Sequence, residues 1–262
     1  MNSLRLLALL PRSPQEFVDR TLTILSGRWE AFRSAPPSYR IVDTANTVRA
    51  MRNRLQLDLD KPLQEPACAA IEFGIRERQQ SLPIDAPFRI FHNGGPCIAS
   101  LCYALVRALQ PEVVVETGVC YGVTSAYFLK ALDVNGHGHL HSIDLPPLGK
   151  DGDAYVGTFV PRELRHRWTL HRGTTRRLLP PLVASLGQID LFLHDSLHTY
   201  QNMRSEFLTV WPAMRPGGVL IADDVEGNVA FQQLSRLNDT ALALVCREPS
   251  KGSLFGVAVK GQ

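Results

Sequence analysis

Apolar and polar positions follow two different rhythms along the chain. Up to about residue 85 the apolar residues recur at helical spacing, in "SPQEFVDRTLTILSGRWEAFR", "TANTVRAMRNRLQ" and "EPACAAIEFGIRERQQ", with prolines between the stretches. Turn-forming residues thicken around "SLPIDAP", and one more apolar-periodic helix, "IASLCYALVRAL", then leads into short runs rich in β-branched residues. Seven such runs read as strands: "VVVET", "GHLHSIDL", "WTLHRG", "IDLFLHD", "GGVLIADD", "TALALVC" and "SLFGVAVK". Helical segments such as "TSAYFLKAL", "TRRLLPPLVASLG" and "YQNMRSEFLTVWPAM" separate the first five strands, which implies crossover connections and a mainly parallel sheet covered on both faces. The last two strands are joined by "REPSKG", whose turn chemistry predicts an antiparallel hairpin. The expected organisation is an N-terminal helical region over residues 1–85 and a doubly wound α/β domain over residues 86–262.

Open parallel sheets bind ligands beyond the carboxyl ends of their strands, so the residues at those ends carry the functional reading. The first strand breaks into "ETGVCYG", where Gly118 and Gly122 would allow a ligand close to the backbone and to the following helix N-terminus. The dinucleotide fingerprint GxGxxG is not met, because Cys120 and Val123 stand at its second and third glycine positions; this argues against a nicotinamide dehydrogenase. Asp144 ends "HSID", where an acid can accept hydrogen bonds from both hydroxyls of a ribose. Gly173 and Thr174 follow the third strand and offer backbone and hydroxyl contacts to an adenine edge, or a helix cap. Asp195 ends the fourth strand, and Asp223 with Asp224 ends the fifth. Three converging carboxylates repel one another unless a cation neutralises them, and hard ions such as Mg²⁺ prefer all-oxygen ligation. His198, three residues after Asp195, has an imidazole that ordinarily titrates near neutrality and can act as a base; His194, on the other face of its strand, reads as structural.

Taken together, "VVVETGVCYG", "LHSIDL", "HRGTTRRLLP", "DLFLHDSLHTY" and "RPGGVLIADDV" resemble, in order and spacing, the class I S-adenosylmethionine-dependent methyltransferases. The likeness is greatest to the branch of catechol-type and small bacterial natural-product and sugar O-methyltransferases, and it covers about residues 88–259. It implies a Rossmann-like fold, with Glu116 facing the methionine part of S-adenosylmethionine, Gly118 and Gly122 letting the cofactor pass, and Asp144 holding its ribose. Gly173, Thr174 and Asp195 complete the implied cofactor contacts. It also implies a divalent cation, Mg²⁺ above all, on Asp195, Asp223 and Asp224, with His198 as catalytic base. Cys120 departs from the many members of the wider superfamily that carry a glycine there. The activity implied is methyl transfer to a hydroxyl of a small molecule; metal-free N-methylation and a non-catalytic cofactor-binding protein are the alternatives.

Composition narrows this reading without redirecting it. With 28 Lys and Arg against 25 Asp and Glu, the net charge is +3, and basic clusters such as "RELRHR" sit on helical patterns without interleaved aromatics. Nucleic-acid binding is not expected, nor is membrane binding, since no apolar run reaches the length of a span. Five scattered cysteines without a CxxC pair read as reduced thiols, and the Leu-rich start reads as a helix instead of a signal peptide. The expectation is therefore a cytoplasmic enzyme, with the N-terminal helices capping the pocket or mediating a homo-oligomer.

Overall fold

A computed structural model describes residues 3–30, 36–89, 93–149 and 151–262. The helices are α1 (Ser3–Leu7), α2 (Pro14–Glu30), α3 (Thr44–Leu55), α4 (Asp60–Leu63), α5 (Pro66–Gln80) and α6 (Pro96–Leu109), followed by α7 (Val123–Asn135), α8 (Gly152–Tyr155), α9 (Thr175–Leu186), α10 (Tyr200–Val210) and α11 (Ala230–Leu234). The strands are β1 (Ile41–Val42), β2 (Val113–Thr117), β3 (His139–Asp144), β4 (Trp168–Arg172), β5 (Ile189–His194), β6 (Met214–Ala222), β7 (Thr240–Arg247) and β8 (Leu254–Lys260). They form a single sheet in the order β1-β7-β8-β6-β5-β2-β3-β4. Only β8 runs antiparallel to its neighbours, β6 and β7.

Burial follows the two-residue period of the strands. Val114 of β2, Leu191 and Leu193 of β5, and Val219 and Ile221 of β6 point to one face, where they join Ile98, Tyr103 and Phe128. Val115, Phe192, Leu220 and Ala222 point to the other, against Leu179, Met203 and Phe207. Both faces are apolar, which is why these strands read as continuous hydrophobic runs. Each residue slip in β5 would turn a whole row to the wrong layer, so the register that aligns the strand ends is fixed by packing.

One expectation is corrected. The sheet has eight strands where seven were expected, because Ile41–Val42 pairs in parallel with Val245–Cys246 of β7; two residues are too few to show alternation in the sequence. The helices before residue 85 pack onto the sheet's own core: Met51 and Leu59 are fully buried, Ile71 and Ile75 nearly so, and all four lie in the same cluster as Phe128 and Leu193. The segment "TRRLLPPLVASL" is one helix, α9, with Pro180 and Pro181 inside it.

The close approach of β2 and β5 sets a strict steric condition at Gly118. This residue has φ +84°, and a Cβ there would fall inside contact distance of the Asp195 carbonyl oxygen. Both the left-handed backbone and the crowding are therefore closed to a side chain. Gly118→Ala is expected to lower stability by roughly 3 kcal/mol or more, measured by urea unfolding; an unchanged midpoint would show that the two strand ends can part without cost.

Candidate active site

Ladder hydrogen bonds continue one residue past the strands. Gly118 N–H donates to Ile143 O (2.9 Å), Asp195 N–H to Thr117 O (2.8 Å), Asp223 N–H to His194 O (2.9 Å) and Gly173 N–H to Asp144 O (2.9 Å). The residues immediately after β2, β4, β5 and β6 thus form a row held in register by backbone bonds. A cavity of about 840 Å³ opens above this row, within the usual range of small-molecule sites. One end is lined by Gly118, Val119, Cys120, Asp144, Gly173 and Thr174, and the other by Asp195, His198, Asp223, Asp224 and Lys251.

At the first end, Asp144 accepts the Cys120 backbone N–H at 3.1 Å. Burial pushes its carboxyl up to about 6, against the pull of backbone N–H groups from Cys120, Leu145 and Val119. The turn that brings those amides to the acid needs left-handed backbone at Gly118, Cys120 (φ 52°) and Gly122. Cys120 thus occupies in a strained conformation the place where a glycine would be relaxed. Its side chain does not close the loop to the cavity, which it lines.

Two residues expected in the cofactor pocket lie behind it. Glu116 is fully buried and absent from the cavity wall; its carboxylate accepts hydrogen bonds from Thr124 Oγ1 and Ser125 Oγ (2.6 Å each) and Ser142 Oγ (2.7 Å). It ties β2 to β3 and to the first turn of α7, because alternation sends its side chain below the strand tip. Gly122 also stands outside the cavity wall; an added Cβ would lie 2.9 Å from Gly157 Cα, so its bareness serves the packing of the following loop.

The opposite end gathers the three aspartates, but not as a ligand set. Among the described residues no group of three or more Asp, Glu, His or Cys side chains could hold a metal ion. Side-chain cations stand among the acids instead. His198 Nδ1 lies 3.0 Å from Asp224 Oδ2, its Nε2 lies 3.6 Å from Asp195 Oδ1, and Lys251 Nζ lies 3.7 Å from Asp223 Oδ2. Burial disfavours the charged imidazole, but the nearby carboxylates of Asp195 and Asp224 outweigh burial and lift His198 to about 10. The ring expected to act as a base is thus flanked by two acids, which favour its protonated form. Asp223 is pushed up to about 7 by burial and by Asp195 and Asp224, while Asp224 is lowered by His198. Asp223 Oδ1 and His198 Nε2 are buried and make no hydrogen bond to the protein.

Three parts of the site had no clear sign in the sequence. Lys251 comes from the β7–β8 turn. The roof is α2, whose Asp19, Arg20, Leu22, Thr23 and Ile24 line the cavity. Arg20 Nη2 donates to Pro146 O (2.7 Å), Arg172 pairs with Glu16 (2.8 Å) and Arg177 with Asp19 (2.9 Å). The charge alternation in "QEFVDR" looks like an ordinary solvated helix face, and only the fold shows what it meets. Beneath Asp195, the Glu206 carboxylate joins His194 Nδ1, Thr117 Oγ1 and Ser196 Oγ, each at 2.7 Å. His194 is thus buried and structural.

Comparison with known proteins agrees with this geometry. Residues 115–225, from β2 to just past the tip of β6, match the protein family described as "Methyltransferase domain". An O-methyltransferase from Bacillus cereus, solved in complex with SAH, is 16% identical, with a TM-score of 0.54 over 73% of this chain and 90% of that one. The O-methyltransferase TomG from Streptomyces achromogenes, solved with SAM, is 15% identical, with a TM-score of 0.54 over 83% of this chain and 96% of that one. Cofactor-bound Rv0187 from MTB is 17% identical, with a TM-score of 0.56 over 75% and 90%. No curated protein sequence matches. Residues 115–225 thus resemble a methyltransferase domain, and these solved structures share the chain's fold. The matched segment carries the Gly118 turn, Asp144 and all three aspartates.

Glu116 gives this arrangement a pH signature. Burial raises its carboxyl from 4.5 to about 7, against the hydrogen bonds of three hydroxyls. Its folded pKa lies above its unfolded one, so its contribution to stability is present below the unfolded value and lost as pH rises through about 7. Glu116→Gln cannot ionise, so its melting temperature relative to the parent should climb between about pH 5 and pH 8. A constant difference across that range would refute the assignment.

Proposed function

We propose that the protein transfers a methyl group from S-adenosylmethionine to a hydroxyl oxygen of a small molecule. One observation carries this reading: a single cavity joins Asp144 and the Gly118–Cys120 backbone to the buried cluster of Asp195, Asp223, His198 and Lys251. The first end suits a nucleoside, since a buried carboxylate beside exposed backbone can hold ribose hydroxyls. When bound, S-adenosylmethionine supplies a methyl group on a sulfonium, which departs as a neutral thioether and keeps the bonding pair. The protein must align the acceptor and receive its proton. Asp223 Oδ1 is the buried carboxylate oxygen without a hydrogen bond, and it is positioned to accept the hydroxyl hydrogen as the oxygen's electron pair forms the new C–O bond. His198, flanked by Asp195 and Asp224, contributes positive charge at the same end of the cavity. The acceptor enters under α2, whose Leu22 and Ile24 give the roof apolar surface.

The sequence also suggested a divalent cation at this end; the two side-chain cations supply the same sign of charge, so no step is routed through a metal. O-methylation is favoured over N-methylation because an acid-rich cluster with paired cations suits an oxygen that becomes more basic as it loses its proton. The neighbours named above as O-methyltransferases support the same acceptor atom.

Calorimetric titration with S-adenosylhomocysteine tests the nucleoside end. Asp144→Ala is expected to weaken binding at least tenfold, the equivalent of about 1.4 kcal/mol. In the unaltered protein, affinity should fall as pH drops through about 6, where Asp144 takes a proton. Undiminished binding by the alanine variant would defeat the reading.

A further inference from the structure

We propose that Lys251 is the resident cation of the active site: its ammonium stands beside Asp223 where a divalent ion would otherwise be required, and binds the acceptor oxygen. The inference rests on the methyl-transfer reading of this cavity, and it specifies that the transfer needs no metal.

The argument begins with charge. Asp195, Asp223 and Asp224 converge on one small volume, and their side chains are 9%, 2% and 38% exposed. Carboxylates so placed require compensation, from a metal or from the chain itself. His198 meets Asp195 and Asp224, which leaves Asp223, the most buried of the three. Lys251 Nζ lies 3.7 Å from Asp223 Oδ2, its side chain is only 11% exposed, and it lines the cavity. A lysine seldom gives up its hydration to this extent unless it is paired.

The turn that carries Lys251 is held as firmly as the strands. Lys251 N–H and Gly252 N–H both donate to Glu248 O, at 3.2 and 2.7 Å, and Glu248 N–H donates to Ser253 O at 2.9 Å. The Glu248 side chain in turn accepts the N–H groups of Cys97 (2.9 Å) and Ile98 (3.3 Å) at the start of α6, and the Ser250 hydroxyl at 2.7 Å. A Cβ on Gly95 would collide with that carboxylate. The β7–β8 hairpin is therefore pinned to the first turn of α6, and its lysine is delivered to the acids by that anchored turn. A compact ammonium at that point has three donors, enough to hold Asp223 and the acceptor oxygen together.

The test reads metal binding directly, without an acceptor. Mn²⁺ is titrated into the full-length protein and followed by electron paramagnetic resonance, with S-adenosylhomocysteine calorimetry and a thermal melt on each sample. The parent protein should take up no Mn²⁺ at about 1 mM, the weak end of protein divalent-cation sites. Lys251→Met should uncover Asp223 and raise Mn²⁺ affinity at least tenfold, while Lys251→Arg, which keeps the charge, should behave as the parent. Micromolar Mn²⁺ binding by the parent, or no gain in a folded Lys251→Met protein, would overturn the proposal. The parent measurement decides even if the methionine variant fails to fold. Loss of S-adenosylhomocysteine binding by the parent would instead strike at the methyl-transfer reading, so the two failures are distinguishable.

Discussion

The site depends on how closely β2 and β5 approach at their carboxyl ends. Gly118 lies against the Asp195 carbonyl so tightly that no side chain fits between them. The same contact, bridged by the Asp195 N–H to Thr117 O, places a turn of exposed backbone beside the first acid of the cluster at the strand tips. In the proposed reaction a methyl donor on one strand tip and an acceptor at the next would have to meet within bonding reach, and strand spacing, not a flexible loop, would set that distance. The glycine serves strand contact first, and the opening toward a ligand follows from it. Glu206 ties β2 to β5 through Thr117 and His194, and Glu116 ties β2 to β3 and α7 through Ser142, Thr124 and Ser125.

Crowding the strand tips with acids has an electrostatic consequence. Glu116, Asp144 and Asp223 are all raised by burial, and Asp195 adds to the shift of each. Such an arrangement folds only if positive charge is supplied locally. This chain supplies it from both sides of the sheet order: His198 from the loop after β5, and Lys251 from the hairpin turn that inserts β8 beside β6. The antiparallel hairpin therefore does more than close the sheet, since a parallel connection would not bring a turn to the carboxyl end of β6 at this point.

Much of this was legible in the sequence. Continuous apolar runs ending in acid or glycine located β2, β3, β5 and β6 and the row of residues beyond them, because parallel strands buried on both faces leave that mark. What could not be read was direction and company. Alternation decides that Glu116 points beneath the strand tip, yet which face is the pocket appears only when α6 and α7 are placed. His198 was legible as a strand-end imidazole, but nothing in "HDSLHTY" shows that Asp224, 26 residues later, would close on its Nδ1. Lys251 was masked by its turn: "REPSKG" predicted the hairpin correctly, and a lysine in a turn ordinarily points to water. Ile41–Val42 escaped for want of length, and α2 because its partners lie more than 120 residues away.

The roof is built on a different principle from the floor. No residue of α2 whose side chain is described belongs to either hydrophobic cluster; the helix is held by Glu16, Asp19 and Arg20 against Arg172, Arg177 and the Pro146 carbonyl. Val18, Leu22 and Leu25 of the same helix stay largely exposed, so it is not anchored by burying an apolar stripe. Ion pairs of this partly exposed kind contribute little each and are weakened by salt. A floor fixed by backbone ladders and a roof fixed by side-chain charges divide the labour. The strand tips thus owe their spacing to the backbone ladder and not to α2, and a cover held mainly by side-chain charges is the part of the cavity wall that costs least to displace.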